Sequence, residues 1–123
     1  MVDHEEFPEL VELATNDPEV LAVVVYGSYV RGESYKDIDI CLFLFPNITQ
    51  SESDKRISYS SQLPNIFDIQ IFADLPIFIQ ARVINEGVIL LNKNYDSLFD
   101  IYAQTIKEYS DFLPHLNLFL EVD

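Results

Sequence analysis

Two neighbouring clusters hold the residues best suited to chemistry. The first is Gly27-Ser28, directly after the apolar run LAVVVY, with Gly32 close behind. The chain has only three glycines in 123 residues, so two within one six-residue window mark an unusual stretch of backbone. A glycine reaches angles closed to other residues and lets a ligand approach the main chain. Ser28 adds a hydroxyl and an amide where a short helical turn through Tyr29, Val30 and Arg31 could begin, and converging N–H groups of that kind bind anions. A Gly-Ser after a strand also makes an ordinary tight turn, so this cluster alone leaves both readings open. The second cluster is Asp37-x-Asp39. On a strand, residues two apart share a face, with Cα atoms roughly 7 Å apart. Two carboxylates there, flanked by Ile38 and Ile40 and followed by CLFLF, repel unless a cation sits between them. One reading pairs them with Arg31 or Lys36 at a solvated strand end. The other makes them a Mg²⁺ site completed by water and phosphate oxygens. A phosphate cradle and a carboxylate pair joined in one strand–turn–strand unit favour the metal.

The elements that must hold these clusters alternate helix and strand. Residues 5 to 16 carry Leu10, Val11, Leu13 and Ala14 at helical spacing and end at Asn16, Asp17 and Pro18. Val20 to Tyr26 is a continuous apolar run rich in β-branched residues, the pattern of a central strand covered on both faces. Asp37 to Phe45 reads as a second strand, with Asp37, Asp39, Cys41 and Phe43 on one face and Ile38, Ile40, Leu42 and Leu44 on the other. Residues 47 to 64 are polar and show no clear period. Ile66 to Phe72 is a third strand on which Asp68, Gln70 and Phe72 share a face. From Asp74, read as an N-cap, to Glu86 the spacing is helical, and Gly87 stops it. Val88 to Leu91 is a short apolar strand or strand-like turn. Tyr95 to Leu113 forms a long amphipathic helix, ended by Pro114. The expected fold is α/β (α+β): a single domain over residues 1–123, with a mixed sheet of three to four strands, helices packed on it and a long C-terminal helix.

Composition narrows the function. The hydrophobic fraction of 49%, with nine Phe and seven Tyr, excludes a disordered acidic tail. Seven basic against 21 acidic residues give a net charge of −14, which opposes direct binding to nucleic acid or to an anionic membrane through a broad basic patch. A polyanionic ligand then needs locally fixed cations or metal ions. Cys41 is the single cysteine and can close no intrachain disulfide. The acidic start MVDHEEFPEL is unlike a signal peptide, and the apolar runs are too short for a bilayer, so a soluble cytoplasmic domain is expected.

The segment VVVYGSYVRGESYKDIDICLFLF resembles the signature of the minimal nucleotidyltransferases of the DNA polymerase beta superfamily: Gly-Ser, a linker often containing Arg-Gly, then Asp-x-Asp in an apolar strand. Gly27, Ser28, Arg31, Gly32, Asp37 and Asp39 stand at those positions. FDIQIF, DLPIFIQARVINEGVILL and YAQTIKEYSDFLPHL are similar to the family's third strand, its following helix and turn, and its closing helix, so the resemblance covers about residues 19 to 115. It implies transfer of a nucleoside monophosphate, AMP from ATP, to an acceptor hydroxyl. Gly27 and Ser28 would hold the β and γ phosphates, and Arg31 would meet the triphosphate or instead pair with Glu33 or Asp37. Asp37 and Asp39 would bind two Mg²⁺ ions, with Asp68 as the third carboxylate, a metal ligand that also helps deprotonate the attacking hydroxyl.

The resemblance also implies that a protein this short takes its acceptor from another molecule. In the antitoxin branch the partner is a HEPN-type ribonuclease toxin that is adenylylated on a tyrosine, and a −14 surface suits a basic partner. Two alternatives stand beside this. One is a catalytically inactive module that neutralises its partner by occlusion, through Tyr95, Tyr102, Tyr109 and the apolar tail Leu113, Leu116, Leu118, Phe119 and Leu120. The other is nucleotidyl transfer to a small molecule. The linker from Ser28 to Asp37 holds eight residues, one or two fewer than the family usually has, and Lys36 stands where a small residue is usual. Self-association is left open.

Overall fold

The computed structural model describes the backbone of residues 4–121 and the side chains of residues 5–114. The elements run α1 (Pro8–Thr15), β1 (Val20–Tyr26), β2 (Ile38–Leu44), α2 (Glu52–Gln62), β3 (Phe67–Ile71), α3 (Ile77–Glu86), β4 (Val88–Asn92) and α4 (Tyr95–Glu121). The four strands form one mixed sheet in the order β3-β2-β1-β4. The β1 strand is antiparallel to both its neighbours, whereas β2 and β3 run parallel.

Every residue of β1 is buried, as the continuous apolar run requires, and the strand divides its side chains between two layers. Val23 and Val25 join Ile38, Ile40 and Leu42 of β2 beneath α1 and α2, against Leu10, Ala14 and Tyr59. Ala22 and Val24 join Cys41 and Phe43 on the other side, against Phe72, Val83 of α3 and Leu98 of α4. A bulge between Val20 and Ala22 lets Leu21 and Ala22, adjacent in sequence, enter the same layer. The alternation expected for β2 therefore holds and puts Asp39 on the α3/α4 face. Among the described residues no helix is long and apolar enough to cross a membrane.

The polar stretch 47–64 contains a helix that periodicity did not announce. Parallel strands need a crossover of a dozen or more residues, and α2 supplies it. Ser51 caps it by accepting from the Asp54 amide at 3.1 Å. Its inward stripe is only Lys55 and Tyr59, and the lysine is buried through charge rather than hydrophobicity. Lys55 Nζ lies 2.9 Å from both Asp17 Oδ2 and Glu19 Oε1, and the Tyr59 hydroxyl donates to Asp17 Oδ2 at 2.8 Å. Lys93 Nζ donates to the Asp17 carbonyl at 2.6 Å, tying the end of β4 to the same turn.

Other boundaries differ from expectation for local reasons. Pro8 occupies the first turn of α1 and sets its start. Asp74 is not the cap of α3: residues 72–74 form a 3-10 turn and Pro76 takes the cap position. Gly87 ends α3 with an extended backbone at φ −67° rather than a left-handed one. It is required sterically, since a Cβ there would overlap the Val83 carbonyl oxygen and Val24 Cγ1. Pro114 does not end α4, which continues to Glu121. A proline's fixed φ is itself helical, so it removes one N–H bond without forbidding the turns beyond. Of the expected contact stripe, Tyr102 is partly buried in the core beside Phe43, with ring centroids 5.7 Å apart. Tyr95 stands exposed, as do Phe99 and Ile106. The side chains of Leu116, Leu118, Phe119 and Leu120 lie outside the described residues.

Candidate active site

The strand β1 ends at Tyr26, and Gly27 turns the chain with φ +84°. The following residues make one helical turn, closed by bonds from the Glu33 amide to the Ser28 carbonyl at 3.0 Å and from the Gly32 amide to the Tyr29 carbonyl at 3.3 Å. Gly32 at φ +74° takes the left-handed position this closure demands. Both glycines of the motif thus serve backbone geometry. Tyr29 pins the turn to the α1 side, packing edge-on against Phe7 and Tyr35 and donating its hydroxyl to Glu6 Oε2 at 2.8 Å.

Gly27 has a second role. Asp39 pairs with Tyr26 across the sheet, and its carboxylate lies directly over the glycine, so that a Cβ at position 27 would overlap Asp39 Oδ2. Gly27 of the first sequence cluster and Asp39 of the second are therefore packed against each other. On the other side of β2, Asp39 and Asp68 are register partners on parallel strands and share the α3/α4 face. Asp68 Oδ1 accepts from Gln70 Nε2 at 2.9 Å. Asp37 is exposed, just before β2.

The electrostatics follow from this crowding. The Asp39 carboxyl is held above the ordinary carboxylate range, first by burial and then by the negative charges of Asp68 and Asp37, with Arg31 opposing them. Burial, with Cys41, Asp39 and Asp68 nearby, also keeps the Tyr26 phenol protonated. Cys41 is free and buried, its thiol pushed up by desolvation, which makes it a packing residue. Among the described residues no three His, Cys, Asp or Glu side chains converge on one point closely enough to cage a metal ion. The carboxylates are arranged pairwise, an arrangement that fits Mg²⁺, which takes one or two carboxylates and fills its shell with water and phosphate oxygens.

Two residues near the site escaped the sequence. Glu86, the last residue of α3, accepts from the Gly27 amide at 3.0 Å through Oε1. It also receives Arg31 Nη1 at 2.9 and 3.0 Å on its two oxygens. Arg31 gives its other edge to Glu33, with Nε 3.1 Å from Oε2 and Nη2 3.2 Å from Oε1. Of the two pairings expected for Arg31, the structure has Glu33 and not Asp37. Arg82, one turn before Glu86 on α3, lies close enough to Tyr26 to oppose the rise in its pKa. The only sequence signal for Glu86 was its place as the last acid before Gly87.

The chain matches the family described as "Polymerase beta, Nucleotidyltransferase" over residues 8–96. It belongs to that family of nucleotidyltransferases, as the Gly-Ser and Asp-x-Asp motifs anticipated. MJ1547 of Methanocaldococcus jannaschii, provisionally named a protein adenylyltransferase, is 34% identical over 73 residues. That alignment covers 58% of this chain and 55% of MJ1547, so the chain spans about half the length of that relative. The fold is that of a crystal structure of a mutant MntA–HpeT toxin–antitoxin complex, with a TM-score of 0.71 at 18% identity, covering 98% of this chain and 97% of that one. A structure of the tri-AMPylated Shewanella oneidensis HEPN toxin in complex with MNT antitoxin gives a TM-score of 0.65 at 18% identity, covering 96% and 92%.

Proposed function

We propose that this chain is a Mg²⁺-dependent nucleotidyltransferase that moves AMP from ATP to a hydroxyl of a partner protein, and that the partner is a HEPN-type toxin which it neutralises. The observation that carries the chemistry is the facing of Asp39 and Asp68 across β2 and β3 with Gly27 packed beneath Asp39. Repulsion within that group raises the Asp39 carboxyl, and a bound cation would relieve it while leaving the carboxylates charged. The adenylyltransferase name of the M. jannaschii relative and the AMPylated toxin in the Shewanella complex support the donor and the partner class.

In this reading the acceptor oxygen attacks the α-phosphorus, the bond from that phosphorus to the bridging oxygen breaks, and pyrophosphate leaves. The Gly27 amide and the Ser28 hydroxyl donate to the β and γ phosphates, and Arg31 offsets their charge. Asp37, Asp39 and Asp68 would hold two Mg²⁺ ions, which when bound polarise the α-phosphate and neutralise the leaving group. Asp68, oriented by Gln70, receives the proton of the attacking hydroxyl. The acidic surface steers a basic protein toward the site and repels nucleic acid.

The test is to mix the chain with ATP, Mg²⁺ and the product of the neighbouring gene, and to weigh the partner. A gain of one or more AMP moieties, lost when both Asp37 and Asp39 become Asn, is expected. Binding of the two proteins with no mass gain overturns the enzymatic reading. That second result would favour occlusion, for which the exposed Ile89, Tyr95 and Phe99 at the β4/α4 edge offer one apolar surface among the described residues.

A further inference from the structure

Glu86 does, in this structure, what a phosphate is expected to do. Its Oε1 takes the Gly27 amide at 3.0 Å, and its two oxygens take Arg31 Nη1. These are the donors on which the nucleotide reading above depends. The carboxylate is largely withdrawn from water, with a side chain 18% exposed. Charge balance makes the arrangement peculiar. Arg31 serves two carboxylates at once, Glu33 and Glu86, and Glu86 adds to the negative field on Asp39. A structural ion pair needs neither the second acid nor the Gly27 amide. A carboxylate and a phosphate oxygen recognise the same donors, so the two must compete for this turn.

The helix supplies a second resting place. Glu86 is the last residue of α3, and Arg82 lies four residues earlier, on the same face. Arg82 is exposed and makes no ion pair among the described residues. A rotation of the Glu86 side chain away from Gly27 would bring it to Arg82. We propose that Glu86 is a built-in occupant of the phosphate cradle. Nucleotide enters by displacing it from Gly27 and Arg31 onto Arg82, and Glu86 thereby sets the affinity for the triphosphate. This rests on the nucleotide reading and adds to it a competitor within the chain.

The test is the affinity for ATP in the presence of Mg²⁺, measured by titration calorimetry on the full chain. Glu86→Gln should bind about tenfold tighter than the parent chain, the scale of one charge-assisted contact no longer displaced. Glu86→Ala should follow it, which guards against a glutamine that keeps the Gly27 bond. Arg82→Gln should bind several-fold more weakly in the parent and change little in the Glu86→Gln background, a non-additivity that independent residues would not produce. The Gly27 amide resonance should move on adding ATP, and at lower ATP in Glu86→Gln. Equal or weaker binding by both Glu86 variants overturns the proposal, and a lowered melting temperature alongside it makes Glu86 a brace for the turn. If the parent and both Glu86 variants all fail to bind ATP, the nucleotide reading itself falls, and this proposal with it.

Discussion

Replacing Asp39 by Asn should make the ligand-free protein more stable, the reverse of what most changes at a half-buried strand position do. Burial, Asp68 and Asp37 hold the Asp39 carboxyl above its ordinary range, so its charged form opposes folding. Adjacent strands are about 4.8 Å apart, which puts the facing carboxylates of Asp39 and Asp68 at roughly 5 Å. At an effective dielectric of about 20 that pair repels by about 3 kcal/mol. Solvent reaching both groups reduces this to about 1–2 kcal/mol. The amide keeps the shape that packs over Gly27 and removes the charge. In a domain of this size the gain corresponds to a melting temperature higher by about 4–8 °C. The sign also fixes the pH dependence. A raised carboxyl costs the folded state nothing below the ordinary aspartate value of 3.8 and its full amount above the raised one. The advantage of Asp39→Asn should therefore be present at pH 7 and vanish in acid. The assay is calorimetric melting at low salt, with and without millimolar Mg²⁺. The parent chain should be stabilised by Mg²⁺ and Asp39→Asn much less. A variant no more stable than its parent at pH 7, with the same response to Mg²⁺, would refute the reasoning.

Other outcomes follow from the same geometry. Lys55→Ala should lose about 3 kcal/mol, because it leaves Asp17 and Glu19 facing each other across the α2 docking site with no cation; urea midpoints measure it. Gly27→Ala should lose about 2 kcal/mol or more from its positive φ and should bind ATP poorly, since the added methyl displaces Asp39; melting and calorimetry check both. The Glu19 carboxyl is held down at about 2 by hydrogen bonds from Lys55 and Thr49. Its contribution to stability is complete above the ordinary glutamate range near 4.5 and is lost as the pH falls toward 2. Acid unfolding of Glu19→Gln should be correspondingly less steep in that window.

The sequence was most legible where one physical requirement dominated. The β1 run has no alternation because it is covered on both faces, and its limits were read correctly to the residue. The period of two along 37–45 and 66–72 grouped Asp39 with Cys41 and Phe43, and Asp68 with Gln70, each within its own strand, and the parallel pairing of β2 with β3 then brought Asp39 and Asp68 together as neighbours on one face. What stayed hidden depends on partners distant in sequence. The helix α2 has an inward stripe of one lysine and one tyrosine, and its burial makes sense only once Asp17 and Glu19 are seen beside it. Asp74 looked like a cap because acids often are, but the chain spends residues 72–74 on a tight turn first. The occupation of the cradle by Glu86 spans 59 residues of sequence and left no local pattern to read. Pro114 misled for the opposite reason, since a local rule was applied to a helix long enough to absorb it.

The central claim is that the α-phosphate, and not the γ-phosphate, is transferred. Partner protein incubated with this chain and Mg²⁺ should acquire label from ATP labelled at the α position, with release of pyrophosphate, and should acquire none from ATP labelled at the γ position. Label from the γ position on the partner, or no label from either while the two proteins bind each other, would contradict it.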